Sequence, residues 1–99
     1  MFSFFDADTA KQFGSEMAIF YMERMPLSIV LKEKQFVVKS QKIIDKMSLQ
    51  IISYKQKNKL NTYQVAQMGN AFKWALKDAG YDGDYVNTLT QWFVTQVKT

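Results

Sequence analysis

Residues 33–57 read EKQFVVKSQKIIDKMSLQIISYKQK, and this stretch decides the fold. It contains no proline or glycine, and its apolar residues recur every three or four positions, which is typical of an amphipathic helix. We therefore predict one long helix from about Glu33 to Lys57. At 1.5 Å per residue its length is roughly 35–40 Å.

Three sets of side chains lie on different sides of this predicted helix when successive residues are placed 100° apart. The broad apolar stripe comprises Phe36, Ile43, Ile44, Met47, Ile51 and Tyr54. The lysine stripe comprises Lys32, Lys39, Lys42, Lys46 and Lys57. The side away from Phe36 and Ile43 carries Val38, Leu49 and Ile52, where a helix docked on one side only would be polar. Either this helix runs through the middle of the bundle, or these three residues meet another chain.

A first helix is predicted before the long one, from about Thr9 to Met25. Asp6, Asp8 or Thr9 can cap it, and Pro26 ends it because the residue before a proline avoids the helical region. Residues 27–31 are predicted to form a packed connector or an early turn of the next helix. The aromatic cluster Phe2, Phe4 and Phe5 is expected to fasten the first helix to the core.

Two helices are predicted after the long one. The third starts at Asn61, which has capping-box spacing to Gln64, and ends at Gly80, a position suited to a left-handed C′ residue. Asp84 is expected to cap the fourth helix, which continues to about Val97. Residues 64–76 partly match a helix-turn-helix layout, but the helical period continues through Gly69, which we interpret as a close-packing site.

These elements predict an all-α fold, a small four-helix bundle with a long basic second helix, formed by residues 1–99 as a single helical domain. The chain has one proline and four glycines among 99 residues, so it has few points at which long elements would break. Trp74 and Trp92 are expected to be core or interface anchors. The uncharged stretches 60–72 and 85–97 are too short and too polar for membrane spans, so no membrane partner is expected.

The positive charge is concentrated in residues 32–59, which hold eight lysines against Glu33 and Asp45, a net of +6. Residues 1–31 carry −2 and residues 60–99 are neutral. The acidic first part either neutralises the basic segment within the fold or leaves a positive face for a polyanion. Lys32, Lys39, Lys42 and Lys46 are the candidate polyanion-binding residues, although twelve lysines against one arginine is not typical of a base-reading protein.

The chain contains no histidine and no cysteine, which removes the commonest general base, the thiol nucleophile and the usual zinc ligands. The sequence therefore predicts no enzyme, no cofactor and no metal. The turn carboxylates Asp78, Asp82 and Asp84 do not have the spacing of a calcium loop and are interpreted as helix-end residues. The missing cysteines fit a reducing compartment, so a cytoplasmic location is expected.

Two functional hypotheses lead, and a third, an enzyme or metal protein, ranks well below them. The first is a non-enzymatic protein–protein interaction module, expected to be a homo-oligomer, whose candidate surface is Val38, Leu49 and Ile52. The alternative is a nucleic-acid-binding protein that uses the lysine stripe to contact phosphates.

Overall fold

A computed structural model of the protein describes residues 6–99 as four helices in the order α1 (Asp8–Arg24), α2 (Glu33–Lys57), α3 (Thr62–Asp78) and α4 (Gly83–Lys98). Within that part of the chain no residue is in a strand, which confirms the all-α prediction. The predicted role of Phe2, Phe4 and Phe5 concerns residues that lie outside the described part.

The two ends of α1 differ in how well the sequence predicted them. The N-cap is Ala7, not Asp6, Asp8 or Thr9, so the predicted side-chain cap is wrong. The Asp6 carboxylate instead accepts a hydrogen bond from the backbone N–H of Asp8 (3.1 Å), the first residue of the helix. The other end was predicted correctly, since the helix stops at Arg24 just before Met25 and Pro26.

Helix α2 has the predicted bounds, and one side of it is buried against the bundle at Ser40, Ile43, Met47 and Ile51. At its N-terminus the Gln35 side chain accepts a hydrogen bond from the Lys32 backbone N–H (3.0 Å). This is half of a capping box, because a lysine ammonium has no lone pair with which to return the bond.

Helix α3 has the capping box that the sequence predicted. The Asn61 side chain accepts from Gln64 N–H (2.8 Å), and the Gln64 side chain accepts from Asn61 N–H (3.0 Å). The helix is continuous through Gly69, so the helix-turn-helix alternative is wrong. Gly80 has φ +97° and ends α3 as predicted.

The cap of α4 is Asp82, whose side chain accepts from Tyr85 N–H (3.0 Å). The prediction of Asp84 was wrong by two residues. Asp84 lies in the first turn of α4, where an acidic side chain interacts favourably with the positive end of the helix dipole. The turn between α3 and α4 is short because the cap of α4, Asp82, follows Gly80 by only two residues.

One aromatic side chain from each helix joins a column through the core. Tyr54 of α2 stacks on Phe13 of α1 (ring centroids 4.1 Å apart), Phe13 lies 6.3 Å from Phe93 of α4, and Phe93 stacks on Phe72 of α3 at 4.4 Å. Phe72 and Phe93 are fully buried. Offset stacking adds to the burial energy of such rings, so this column ties all four helices together.

Two glycines allow helices to approach closely. Gly14 of α1 lies against the backbone of α3, where an added Cβ would overlap the carbonyl oxygen of Met68. Gly69 of α3 lies under Val94 of α4, whose Cγ2 would be 2.7 Å from an added Cβ. The predicted close-packing role of Gly69 is confirmed, and α4 is the helix that it approaches.

The connector between α1 and α2 is not a helical turn, and most of it is not packed. Leu27 is 58% exposed and Val30 is 93% exposed, whereas Leu31 is partly buried against the core. The expectation of a packed connector or an early helical turn was therefore wrong. A turn closed by the bond from Ile29 N–H to Pro26 C=O (3.0 Å) carries the chain around this corner.

Candidate interaction surface

The side of α2 that carries Val38, Leu49 and Ile52 faces away from the bundle. Their side chains are 55%, 69% and 51% exposed respectively. Helix α2 does not run through the middle of the bundle, since its buried residues lie on the opposite side. These three residues are therefore available for contact with another molecule.

The four candidate lysines lie on or just before α2, on the side of the helix next to Val38, Leu49 and Ile52. Lys32, Lys42 and Lys46 are exposed and Lys39 is partly exposed. Across residues 6–99 the one ion pair joins Arg24 and Glu23 (3.8 Å), so no lysine of α2 is paired with a carboxylate there. The acidic part of the chain does not neutralise these lysines, and their charge faces solvent.

The structure brings the two predicted surfaces together. Lys42 lies four residues after Val38, and Leu49 lies three residues after Lys46, so apolar and basic side chains are neighbours on the helix surface. We call this combined surface the outer face of α2, and it consists of Val38, Lys39, Lys42, Lys46, Leu49 and Ile52. Lys32 precedes the helix and extends the basic part toward the connector.

A groove of about 530 Å³ opens at the N-terminal half of this face. It is lined by Leu31, Lys34, Gln35, Val38, Lys39 and Lys42. Leu31, Lys34 and Gln35 were not among the predicted site residues. A signal was present for Lys34, which is four residues before Val38 on the same helix, whereas Leu31 depends on the path of the connector.

Trp74 is an exposed residue on a different helix. It is 52% exposed on α3, and the ammonium groups of Lys73 and Lys77 lie 5.1 and 5.5 Å from its ring centroid. Such cation–π contacts at an exposed site contribute about 0.5–1 kcal/mol each. Trp74 is therefore not a core anchor, while Trp92 is partly buried against the core.

A second concave region, of about 560 Å³, lies where the ends of the helices meet. We call it the tyrosine cleft, and it is lined by Tyr21, Met25, Pro26, Leu27, Ile29, Leu31, Glu33, Phe36, Tyr81, Asp82 and Tyr85. The sequence analysis did not find it. Its tyrosines lie on three separate segments, and no local spacing signals that they meet.

Hydrogen bonds hold the tyrosines of this cleft in place. The Tyr21 hydroxyl donates to the Tyr85 hydroxyl (2.8 Å), and the Tyr81 hydroxyl donates to the Met25 carbonyl oxygen (2.6 Å). Burial raises the pKa of Tyr21 far above the ordinary tyrosine value, and the hydrogen bond with Tyr85 raises this pKa further. Burial also raises the pKa of Tyr81.

Replacing Tyr21 by phenylalanine is expected to reduce the pH dependence of stability above about pH 10, the ordinary tyrosine pKa. A raised folded-state pKa means that the native protein keeps a proton that the unfolded chain releases, so stability is full below pH 10 and falls above it. By pH 11 this loss is at most about 1.4 kcal/mol for one group.

Urea unfolding at pH 8 and pH 11 measures this difference. The variant should lose less of its free energy of unfolding between the two pH values than the original protein, and at pH 8 it should be about 1 kcal/mol less stable for want of the hydrogen bond. Equal losses in both proteins would show that Tyr21 does not carry the effect.

No side-chain cluster within residues 6–99 suggests metal chemistry, since no three His, Cys, Asp or Glu residues there are grouped to hold an ion. In the same range no helix is long and apolar enough to cross a membrane. The exposed side chains of the outer face of α2 can make apolar contacts and can attract negative charge.

Comparison with known proteins does not add a family. No family model matches this chain, and no curated protein or solved structure matches it significantly.

Proposed function

We propose that this protein is a non-enzymatic protein–protein interaction module whose outer face of α2 docks an acidic amphipathic segment of a partner protein. The observation that carries the proposal is the combination of exposed Val38, Leu49 and Ile52 with lysines that have no carboxylate partner in the described part of the chain. The absence of histidine and cysteine supports the non-enzymatic part. The absence of cysteine also supports a cytoplasmic location, which stays part of the proposal.

The dimensions of the face suit a helical partner. Ile52 follows Val38 by 14 positions, a rise of about 21 Å along the helix, which is close to four helical turns. An amphipathic helix that lies along such a face presents apolar residues at i, i+3, i+4 and i+7. Glutamates beside that stripe would meet Lys39, Lys42 and Lys46.

Charge favours a different protein over a second copy of this one. Residues 32–59 carry a net charge of +6, so pairing two outer faces brings like charges together. Like charges placed opposite each other disfavour an interface, whereas an acidic partner gains from the same lysines. The homo-oligomer remains the alternative, and a measurement of molecular mass in solution separates the two.

Nucleic acid is the second candidate because the unpaired lysines would track phosphates equally well. The apolar residues weigh against it, since phosphates make no use of Val38, Leu49 and Ile52, and aromatic residues that could stack on bases are missing from this face. Binding of labelled oligonucleotides that falls steeply with salt would favour this candidate.

Replacing both Leu49 and Ile52 by glutamine is expected to weaken docking about tenfold or more without unfolding the protein. Each side chain is more than half exposed, so the free energy of unfolding should change by no more than about 0.5 kcal/mol. Burial of an aliphatic side chain at an interface contributes about 1.5–3 kcal/mol to the binding free energy. The variant loses part of this contribution at each of the two positions. The measurement is fluorescence anisotropy with a labelled helical peptide that has a leucine stripe flanked by glutamates.

The matched control is Ile19→Gln, because Ile19 is a similarly exposed aliphatic residue (48%) on α1 and is not part of this face. It should leave peptide affinity unchanged. Sedimentation of the unmodified protein reports the oligomeric state, and a dimer that the Leu49 and Ile52 changes dissolve would establish self-association instead. Equal peptide affinity in the double variant and in the Ile19 control would refute the proposal.

A further inference from the structure

The tyrosine cleft lies between the end of α1, the connector, the start of α2 and the start of α4. The C-terminal end of α1 supplies Tyr21, and the N-terminal end of α2 supplies Phe36. The turn before α4 supplies Tyr81, and the first turn of α4 supplies Tyr85. The connector closes the remaining side, with Leu27 resting against Gly80 of the turn before α4. The volume of about 560 Å³ is within the range of small-molecule sites, roughly 300–1,000 Å³.

The aromatic rings of the cleft are fixed relative to one another. Tyr21 lies 6.0 Å from Tyr81 and 6.1 Å from Tyr85, and Phe36 meets Tyr85 edge-on at 5.6 Å. The hydroxyls of Tyr21 and Tyr81 are held by the hydrogen bonds described above. A cleft whose walls are already ordered loses little entropy when a ligand enters.

The charge of the cleft is opposite to that of the protein. Its charged lining residues are Glu33 and Asp82, both acidic and both exposed at the rim, whereas the whole chain carries +4. The Asp82 side chain also caps α4, where it accepts a hydrogen bond from the Tyr85 backbone N–H (3.0 Å). The faces of tyrosine and phenylalanine rings carry negative electrostatic potential and attract cations in the same way.

We propose that the tyrosine cleft binds a small organic cation, an ammonium group carried on an aromatic or aliphatic body. The ammonium is placed at the rim between Glu33 and Asp82, and the apolar body rests on the rings of Tyr81, Tyr85 and Phe36. An anion of the same size is repelled by the two carboxylates. A neutral analogue keeps the apolar contact and loses the charge attraction and the cation–π contact.

This site is separate from the outer face of α2, although Leu31 borders both concave regions. The adjoining groove is lined by Lys34, Lys39 and Lys42, so the two regions have opposite charge and select opposite ligands. The inference therefore stands independently of the proposed docking of an acidic partner.

The test compares three probes of one shape by titration calorimetry: 2-phenylethylammonium, the neutral 2-phenylethanol and the anionic 3-phenylpropionate. The cation is expected to bind at least about fivefold more tightly than the alcohol, because it gains two exposed charge pairs that contribute up to about fivefold each, and the anion is expected to bind more weakly than both. Equal affinity for cation and alcohol, or no saturable binding of the cation up to about 20 mM, would overturn the proposal.

Variants locate the effect. Glu33→Gln combined with Asp82→Asn is expected to reduce the preference for the cation to about twofold or less, because both rim charges are removed. Asparagine is as good an N-cap as aspartate, so the change at residue 82 keeps the start of α4. Asp84→Asn is the matched control, since Asp84 is exposed on the same helix end and does not line the cleft. A full preference retained in the double variant contradicts the assignment.

Circular dichroism checks that each variant is folded. If the double variant is not, Glu33→Gln alone carries the test, because its side chain is exposed and outside the core. The single change should then weaken cation binding at least about twofold and leave the affinity of the alcohol unchanged. Equal loss for both probes would mean that the residue shapes the cleft and does not attract charge.

Discussion

Gly14→Ala is expected to destabilise the protein by about 3 kcal/mol or more, a large part of the 5–15 kcal/mol that holds a typical domain together. An alanine Cβ at this position would overlap the carbonyl oxygen of Met68, and it would also lie 3.2 Å from the Met68 carbonyl carbon and 3.3 Å from Ala71 Cβ. Backbone atoms in the middle of a helix cannot rotate away. Helices α1 and α3 must therefore separate and lose packing along their whole contact.

The ordinary effect of this substitution has the opposite sign. In a helix interior alanine is about 1 kcal/mol more favourable than glycine, so a helix free of neighbours would be stabilised. A net loss therefore measures the contact with α3 and not helix propensity. Thermal unfolding followed by circular dichroism should show a fall in melting temperature of more than about 12 °C, at about 4–8 °C for each kcal/mol.

Two other glycines make matched controls. An added Cβ at Gly69 meets only the Val94 Cγ2 atom, the end of a side chain that can rotate, so Gly69→Ala should cost far less. Gly83 has no atom within 4 Å of such a Cβ, and Gly83→Ala should be neutral or stabilising by up to about 1 kcal/mol. A melting temperature of Gly14→Ala equal to that of Gly83→Ala would show that α1 and α3 do not approach as described.

Reversing the charge of Lys39, Lys42 and Lys46 to glutamate is expected to weaken binding of the acidic peptide about a hundredfold. Each reversal removes an attraction and adds a repulsion, about 1 kcal/mol per residue at an exposed site, and 1.4 kcal/mol is a factor of ten in affinity. Stability should hardly change, because these lysines have no carboxylate partner within residues 6–99. Fluorescence anisotropy at low and physiological salt measures the loss.

A second triple variant separates local contact from net charge. Lys11, Lys73 and Lys98 lie on α1, α3 and α4, and their reversal to glutamate changes the total charge by the same amount. It should weaken binding only slightly, and less still at physiological salt, where charges more than about 8 Å apart are screened. Comparable loss in both triple variants would mean that the peptide responds to net charge and has no defined site on α2.

The long helix was predictable because its information is local. The apolar periodicity of residues 33–57 can be identified without knowledge of tertiary contacts, and so can the helix-end signals at Pro26, Asn61 and Gly80. Helix α2 has the predicted bounds. The same pattern placed Val38, Leu49 and Ile52 on the side of the helix away from Phe36 and Ile43. The sequence left open whether another part of the bundle covers them, since that depends on how α2 packs.

The errors at the helix N-termini arose where neighbouring residues of the same chemistry competed. Asp82 and Asp84 are both good N-caps, and the choice between them depends on the backbone after Gly80. In the same way α1 begins after Ala7 although three cap-forming residues surround it. Cap propensity indicates that a helix starts nearby and does not select the residue.

Contacts between distant segments were beyond sequence reasoning. Nothing near Gly14 indicates that the Met68 carbonyl lies against it, 54 residues later. The tyrosine cleft likewise depends on Tyr21 and Tyr85 meeting across 64 residues. Hydrophobic periodicity indicates which side of a helix is buried. It does not indicate which residues of another helix that side contacts.

The most direct test of the proposed function is a titration of nitrogen-15-labelled protein with the acidic amphipathic peptide, followed by amide chemical shifts. The account predicts saturable shift changes concentrated at residues 38–53 of α2, with the protein remaining monomeric. Changes centred on the exposed Trp74 of α3, or no saturable change at all, would contradict the assignment of the outer face of α2 as the docking surface.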